Sequence, residues 1–140
     1  MNYFKRLPYK SKVSAQLLEF AKTSTYQEYF NFSAAMVPKE MLIGEELLNE
    51  LHGDWHCGIL RIDANSCYNW HTDTNRKVSI NMLLNYNNDS HCVFGECNSV
   101  QFPITELKYE PDTYYMLDTT KPHMVLNLNE PRYMFSIEFL

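Results

Sequence analysis

Long apolar runs are missing from this chain. Its longest aliphatic stretches are three or four residues, as in Ala34-Ala35-Met36-Val37, whereas a helix that crosses a bilayer needs about 20. No apolar segment follows the early basic residues Lys5 and Arg6, so no secretory leader is expected. Basic residues are in deficit, 12 against 17 acidic, for a net charge of −5. That balance argues against broad binding to a nucleic-acid backbone, apart from a local basic groove around Arg61, Arg76 and Lys77. The four cysteines are scattered, with only Cys92 and Cys97 close together. A reduced, cytoplasmic protein is the expectation. Internal repeats, low-complexity tracts and long polar linkers are also lacking.

What remains is a 140-residue chain, 45% hydrophobic and 14% aromatic, enough for one packed domain over 1–140. The apolar period changes near Gly53. Before it, Val13, Leu17 and Ala21 recur at helical spacing, with Ser11 or Ser14 as a candidate cap. A second helix is read from Pro38 through Leu47, Leu48 and Leu51 to a stop at Gly53, although Gly44 weakens it. Residues 1–53 are therefore expected to be mostly helical.

From 54 onward the period is two. Val78, Ile80, Met82 and Leu84 alternate with Lys77, Ser79, Asn81 and Leu83, and Tyr133, Phe135, Ile137 and Phe139 alternate with Arg132, Met134, Ser136 and Glu138. Shorter strands are expected around 55–63, 91–94, 99–102, 105–109, 113–117 and 123–127, separated by turn-forming stretches. The predicted fold is mainly β with N-terminal helices: a jelly roll over 54–140 backed by helices. In such a fold the apolar strand face packs on a neighbouring layer and the polar face can line a cavity.

Three elements could furnish that cavity. His71 and Asp73, two apart in an extended segment, project to one side and supply two-thirds of a 2-His-1-carboxylate site. His123, after Lys121-Pro122, begins a strand that antiparallel pairing could bring to them; a structural histidine is the alternative. Arg132 opens the last strand on the same side as Ser136. It either faces an anion such as a carboxylate or pairs at the rim with Glu130 or Glu138. His52 and His56 have a metal-pair spacing, but Gly53 and Asp54 end the helix between them; Cys92 and Cys97 lack a second Cys/His pair at zinc-site spacing, and His91 is read as a loop or strand-edge residue.

The order Tyr68-x-x-His71-x-Asp73, Arg76, Val78 to Asn85, Pro122-His123-x-Val125 and Arg132-Tyr133-x-x-Ser136-x-x-Phe139 resembles the Fe(II)/2-oxoglutarate-dependent dioxygenases, particularly the prolyl-hydroxylase-like branch. The stretch from Trp70 to Arg76 is also similar to the aspartyl/asparaginyl hydroxylases. The resemblance runs from Ile59 to Leu140 and implies a double-stranded β-helix. It implies iron held by His71, Asp73 and His123, and 2-oxoglutarate bound by Arg132 with Ser136, Tyr68 and Asn81 as further candidates. It also implies O2 as oxidant and release of succinate and CO2 as an amino-acid or peptidyl side chain is hydroxylated. The chain departs from many members in carrying Met134 where they have a Ser two residues after the Arg. A small-molecule or peptide substrate and possible homodimerisation through an edge strand complete the expectations. The rival reading is a non-catalytic cupin or jelly-roll module that holds a metal or a small anion.

Overall fold

The computed structural model describes residues 2–73, 77–86 and 89–140; Arg76 lies outside them. In chain order the elements are β1 (Phe4–Lys10), α1 (Ser14–Thr23), β2 (Gln27–Glu28), β3 (Ser33–Met36), two 3-10 segments (Lys39–Leu42 and Glu46–Glu50) and β4 (Trp55–Ile62). There follow β5 (Ser66–His71), β6 (Val78–Leu83), β7 (Ser90–Gly95), β8 (Ile104–Leu107), β9 (Thr113–Asp118), β10 (His123–Asn127) and β11 (Arg132–Phe139). They form a seven-stranded sheet, β1-β9-β6-β11-β4-β3-β2, and a four-stranded sheet, β5-β10-β7-β8. Every pairing is antiparallel. The protein is mainly β, and no helix among the described residues is long and apolar enough to cross a membrane.

The alternating segments sort the large sheet into two faces. On one, Phe135 and Ile137 of β11 join Ile80 and Met82 of β6, Ile59 of β4, and Leu17 and Ala21 of α1. On the other, Met134, Leu83, Ile62 and Leu117 meet Cys92 and Phe94 of β7 and Val125 of β10, joining the two sheets. β11 is interior, paired with β4 along its whole length and with β6 over Met134–Glu138. Both of its faces are therefore covered, and even Arg132 and Ser136 are buried.

The N-terminal part differs from its expectation. The helix expected over 38–53 is two short 3-10 segments, and β1, β2 and β3 add strands before Gly53. Gly44 takes a left-handed φ of 91°, which glycine alone adopts without penalty, and Ile43 and Glu45 on either side are extended. The break aims Glu45 inward. Its buried carboxylate accepts hydrogen bonds from the Ser11 hydroxyl (2.5 Å), the Lys12 backbone N–H (2.9 Å) and the Tyr114 phenol (2.7 Å). These tertiary bonds outweigh a local helical preference of a few tenths of a kcal/mol per residue. The segment 99–102, read as a strand, precedes β8 as a turn.

Phe135 is fully buried. Phe135→Ala should lower the unfolding free energy by about 3–5 kcal/mol, measured by denaturant titration. A loss below about 1 kcal/mol would show that this face is not the packed one.

Candidate metal centre and adjoining cavity

β5 ends at His71 and β10 begins at His123, and the antiparallel register sets the two histidines opposite each other. The next pair is Val125 with Tyr68, so β5 carries one extra residue there. Such a bulge re-aims the side chains beside it. Asp73, just past β5, is tied down by its backbone N–H to the Thr119 carbonyl at 2.9 Å. The Asp73 Oδ1 then lies 3.7 Å from His71 Nε2 and 3.9 Å from His123 Nε2, and one ligand atom of each residue falls within 4.8 Å of the others.

The imidazole tautomers follow from their neighbours. His71 Nδ1 lies 2.6 Å from the Asn69 carbonyl and His123 Nδ1 lies 2.7 Å from the Lys121 carbonyl. A carbonyl only accepts, so each Nδ1 carries a proton, and the Nε2 atoms are the ones turned towards Asp73. Histidines that hold metals are oriented by this same arrangement. Their rings are also clamped. Tyr68 stacks on His71 at 3.8 Å between centroids and Phe32 stacks on Tyr68 at 5.5 Å, while Phe94 packs 5.4 Å from His123. Ligand bonds near 2.1 Å at right angles put neighbouring donor atoms roughly 3 Å apart. Two imidazoles and one carboxylate are a donor set that suits a divalent cation with further positions open.

A cavity of about 60 Å³ adjoins the histidines and is lined by His71, His123, Ser79, Asn81, Cys92, Tyr109 and Arg132 among others. Along β10 it passes from His123 to Val125, whose partner on β7 is Cys92, a neighbour in turn of Arg132 and Tyr109. Arg132 is 5% exposed and its Nε has no hydrogen-bond partner. The Tyr109 ring lies 5.7 Å from its guanidinium carbon. Burial pushes the Cys92 thiol up to about 11, so it is neutral and supplies no counter-charge. Three buried polar atoms without a partner line this one cavity: Arg132 Nε, Tyr109 Oη and Ser79 Oγ.

The structure thus brings His71, Asp73 and His123 together and sets Arg132, Asn81 and Tyr68 around the same cavity. Ser136 stands apart. Its hydroxyl donates to Asn81 Oδ1 at 2.8 Å, and it faces a second groove with His56 and Glu138; the residue beside Arg132 on the cavity face is Met134. The rim alternative for Arg132 fails, because among the described residues neither Glu130 nor Glu138 pairs with it. Glu138 instead meets His56 at 2.9 Å, and His91 meets Glu106 at 3.1 Å. Arg61 pairs with Asp63 at 3.5 Å and lies over the Tyr26 ring. Ser79 and Tyr109 were not singled out from the sequence: one is a small residue in an alternating strand and the other an aromatic at a strand end, with no spacing that ties them to Arg132.

No protein-family model and no curated protein matches the sequence. Solved structures do. A 2OG-Fe(II) oxygenase family oxidoreductase from Burkholderia pseudomallei superposes with a TM-score of 0.72 at 12% identity, covering 98% of this chain and 84% of that one. A prolyl-4-hydroxylase from Pseudomonas putida gives 0.67 at 13% identity, covering 97% and 91%. The chain has their fold. Oxalate decarboxylase from Lactobacillus farciminis is more distant, with a TM-score of 0.51 at 8% identity over 84% of this chain and 31% of that one.

His71→Ala, Asp73→Ala and His123→Ala should each weaken Mn(II) binding roughly tenfold or more while leaving the β-sheet circular dichroism intact. Calorimetric titration of Mn(II) decides the matter. Any variant that binds the ion as well as the parent is not missing a ligand.

Proposed function

We propose that this chain is an Fe(II)- and 2-oxoglutarate-dependent oxygenase, built on a double-stranded β-helix. Its reaction is hydroxylation of an amino-acid or peptidyl side chain, with O2 as oxidant and succinate and CO2 as co-products. One observation carries the reading. Arg132 is buried with an unpartnered Nε in the cavity that also reaches His71 and His123, and no carboxylate among the described residues pairs with it. Burying an unpaired cation costs several kcal/mol, a cost that an anionic ligand offsets. A diacid with one end at the metal and the other at Arg132 matches both ends of this cavity.

The residues present fit that pair of ligands. His71, Asp73 and His123 would hold the iron, and Arg132 would hold the distal carboxylate of 2-oxoglutarate through charge-assisted hydrogen bonds. When bound, iron and 2-oxoglutarate together supply the oxidising power for the hydroxylation. The protein's part is positional. Tyr68 and the two backbone carbonyls fix the imidazoles, Ser136 orients the Asn81 amide, and Leu60, Ile62, Leu117, Val125 and Met134 keep the cavity walls apolar and exclude water.

The fold shared with the Pseudomonas putida enzyme is in keeping with the prolyl-hydroxylase-like branch. The net charge of −5 favours a small molecule or peptide over nucleic acid as substrate. Cys57, Cys67, Cys92 and Cys97 are all unbridged, in keeping with a cytoplasmic protein. Homodimerisation through an edge strand is part of the same reading.

The test is oxygen-dependent formation of succinate from 2-oxoglutarate by the Fe(II)-loaded protein, beside binding measurements on one variant. Charged hydrogen bonds of this type contribute about 1.5–3 kcal/mol, so Arg132→Met should weaken 2-oxoglutarate roughly 10- to 150-fold and leave Mn(II) affinity unchanged. Removing an uncompensated buried charge should also leave the ligand-free protein at least as stable as the parent. Absence of both succinate and 2-oxoglutarate binding would favour the metal- or anion-binding module instead.

A further inference from the structure

The two histidines of the metal centre are held unequally. β10 has a strand on either side, and the His123 side chain is 9% exposed. β5 is the edge of the four-stranded sheet, and the His71 side chain is 21% exposed. Two restraints on the His71 ring, the Asn69 carbonyl and the Tyr68 ring, belong to β5 itself and travel with it. A third comes from the other sheet. Phe32, on the hairpin that joins β2 to β3, stacks on Tyr68 at 5.5 Å with 10° between ring planes. Tyr29 stacks on Phe32 at 5.0 Å and 19°, and Tyr68 lies on His71 at 13°. Four nearly parallel rings therefore run from Tyr29, half exposed at the surface, to a metal-ligating imidazole.

The hairpin that carries two of these rings is lightly held. β2 has two residues, forms the edge of the seven-stranded sheet and pairs only with β3. The turn is closed by the Tyr29 backbone N–H donating to the Phe32 carbonyl at 2.8 Å, and Phe30 within it is 98% exposed. Short edge pairs with few buried contacts sit at the low-stability end of a fold. Phe32 also walls two spaces, the inner cavity beside His71 and a groove outside it with Tyr29, Met36, Gly58 and Glu138.

We propose that Phe32 is a positioning residue for His71, and that metal binding in turn orders the β2–β3 hairpin that walls the outer groove. A ring that is already ordered when the metal arrives adds no ordering cost to binding, whereas a loose one does. Phe32 supplies that order from across the two sheets. The coupling is reciprocal: whatever factor an ordered hairpin adds to metal affinity, the metal adds to hairpin order. The outer groove is then best formed in the metal-loaded protein, so a substrate that uses it binds after the metal. The inference rests on the metal centre of the reading above and not on the identity of the substrate.

The experiment has three parts. Calorimetric titration of Mn(II) compares the parent with Phe32→Leu, which keeps apolar bulk but has no ring, with Phe32→Tyr, which restores the ring, and with Phe30→Leu on the same turn. Phe32→Leu should lose roughly 2- to 12-fold in affinity, the cost of ordering one side chain on binding, while the other two bind like the parent. Proton resonances of the His71 ring in the metal-free proteins, assigned by their loss in His71→Ala, give a readout that needs no metal. They should lie upfield under the Tyr68 ring in the parent and in Phe32→Tyr and move downfield in Phe32→Leu, with the His123 signals unmoved. Hydrogen exchange of residues 27–33 needs no variant: Mn(II) should slow it in the parent, and not in Phe32→Leu. Parent-like affinity and unmoved His71 signals in Phe32→Leu overturn the positioning role. An equal loss in Phe30→Leu overturns it too, by assigning the effect to the hairpin at large. Exchange in the parent that is indifferent to Mn(II) overturns the coupling. A parent that binds no Mn(II) removes the functional reading and this proposal together, whereas a parent that binds Mn(II) and forms succinate beside indifferent variants removes this proposal alone.

Discussion

A guanidinium shut away from water with no carboxylate beside it opposes folding by several kcal/mol, in a protein whose net stability is on the order of 5–15 kcal/mol. Among the described residues Arg132 is in that position: it is buried, and none of their carboxylates pairs with it. Its neighbours supply no counter-charge: Tyr109 is a neutral phenol whose ring also offers a weak cation–π contact, and Cys92 stays protonated because it too is buried. The strand that carries Arg132 is paired on both sides, so the residue cannot swing to the surface without breaking the centre of the large sheet. The unmet charge is thus held in place by the fold, and it is held in the cavity that the paired histidines share.

That arrangement depends on one strand having two buried faces. Phe135 and Ile137 lock β11 onto the layer that includes α1, and the alternation then turns Arg132 and Met134 towards the smaller sheet. β5 and β10 bring His71 and His123 to the same space from the opposite side, with a bulge beside them. The apolar core on one face and the polar cavity on the other are consequences of the same alternation. A slip of one residue would exchange them and destroy both.

Much of this was legible in the sequence, for a physical reason. β6 and β11 announce themselves because each separates a continuous apolar face from a mixed one, and period two survives any tertiary context. Spacing and strand order made His71, Asp73 and His123 candidates, with a structural role for His123 left open, and it was the resemblance to a family that implied the three together. The segment 38–53 was not, because its conformation is decided by Glu45 reaching Ser11, Lys12 and Tyr114, partners far away in sequence. β1 was missed since an edge strand containing Pro8 and three basic residues, Lys5, Arg6 and Lys10, carries a weak alternation. Tyr109 and Ser79 were invisible as site residues, because an unsatisfied hydroxyl exists only once the surrounding chain has been folded around it.

The most direct measurement is a crystal structure of the protein grown anaerobically with Mn(II) and 2-oxoglutarate. The account predicts the ion between His71 Nε2, the Asp73 carboxylate and His123 Nε2, with the diacid running into the cavity and its distal carboxylate against the Arg132 guanidinium. A metal bound at other residues, or a diacid that leaves Arg132 without an anionic partner, would contradict it.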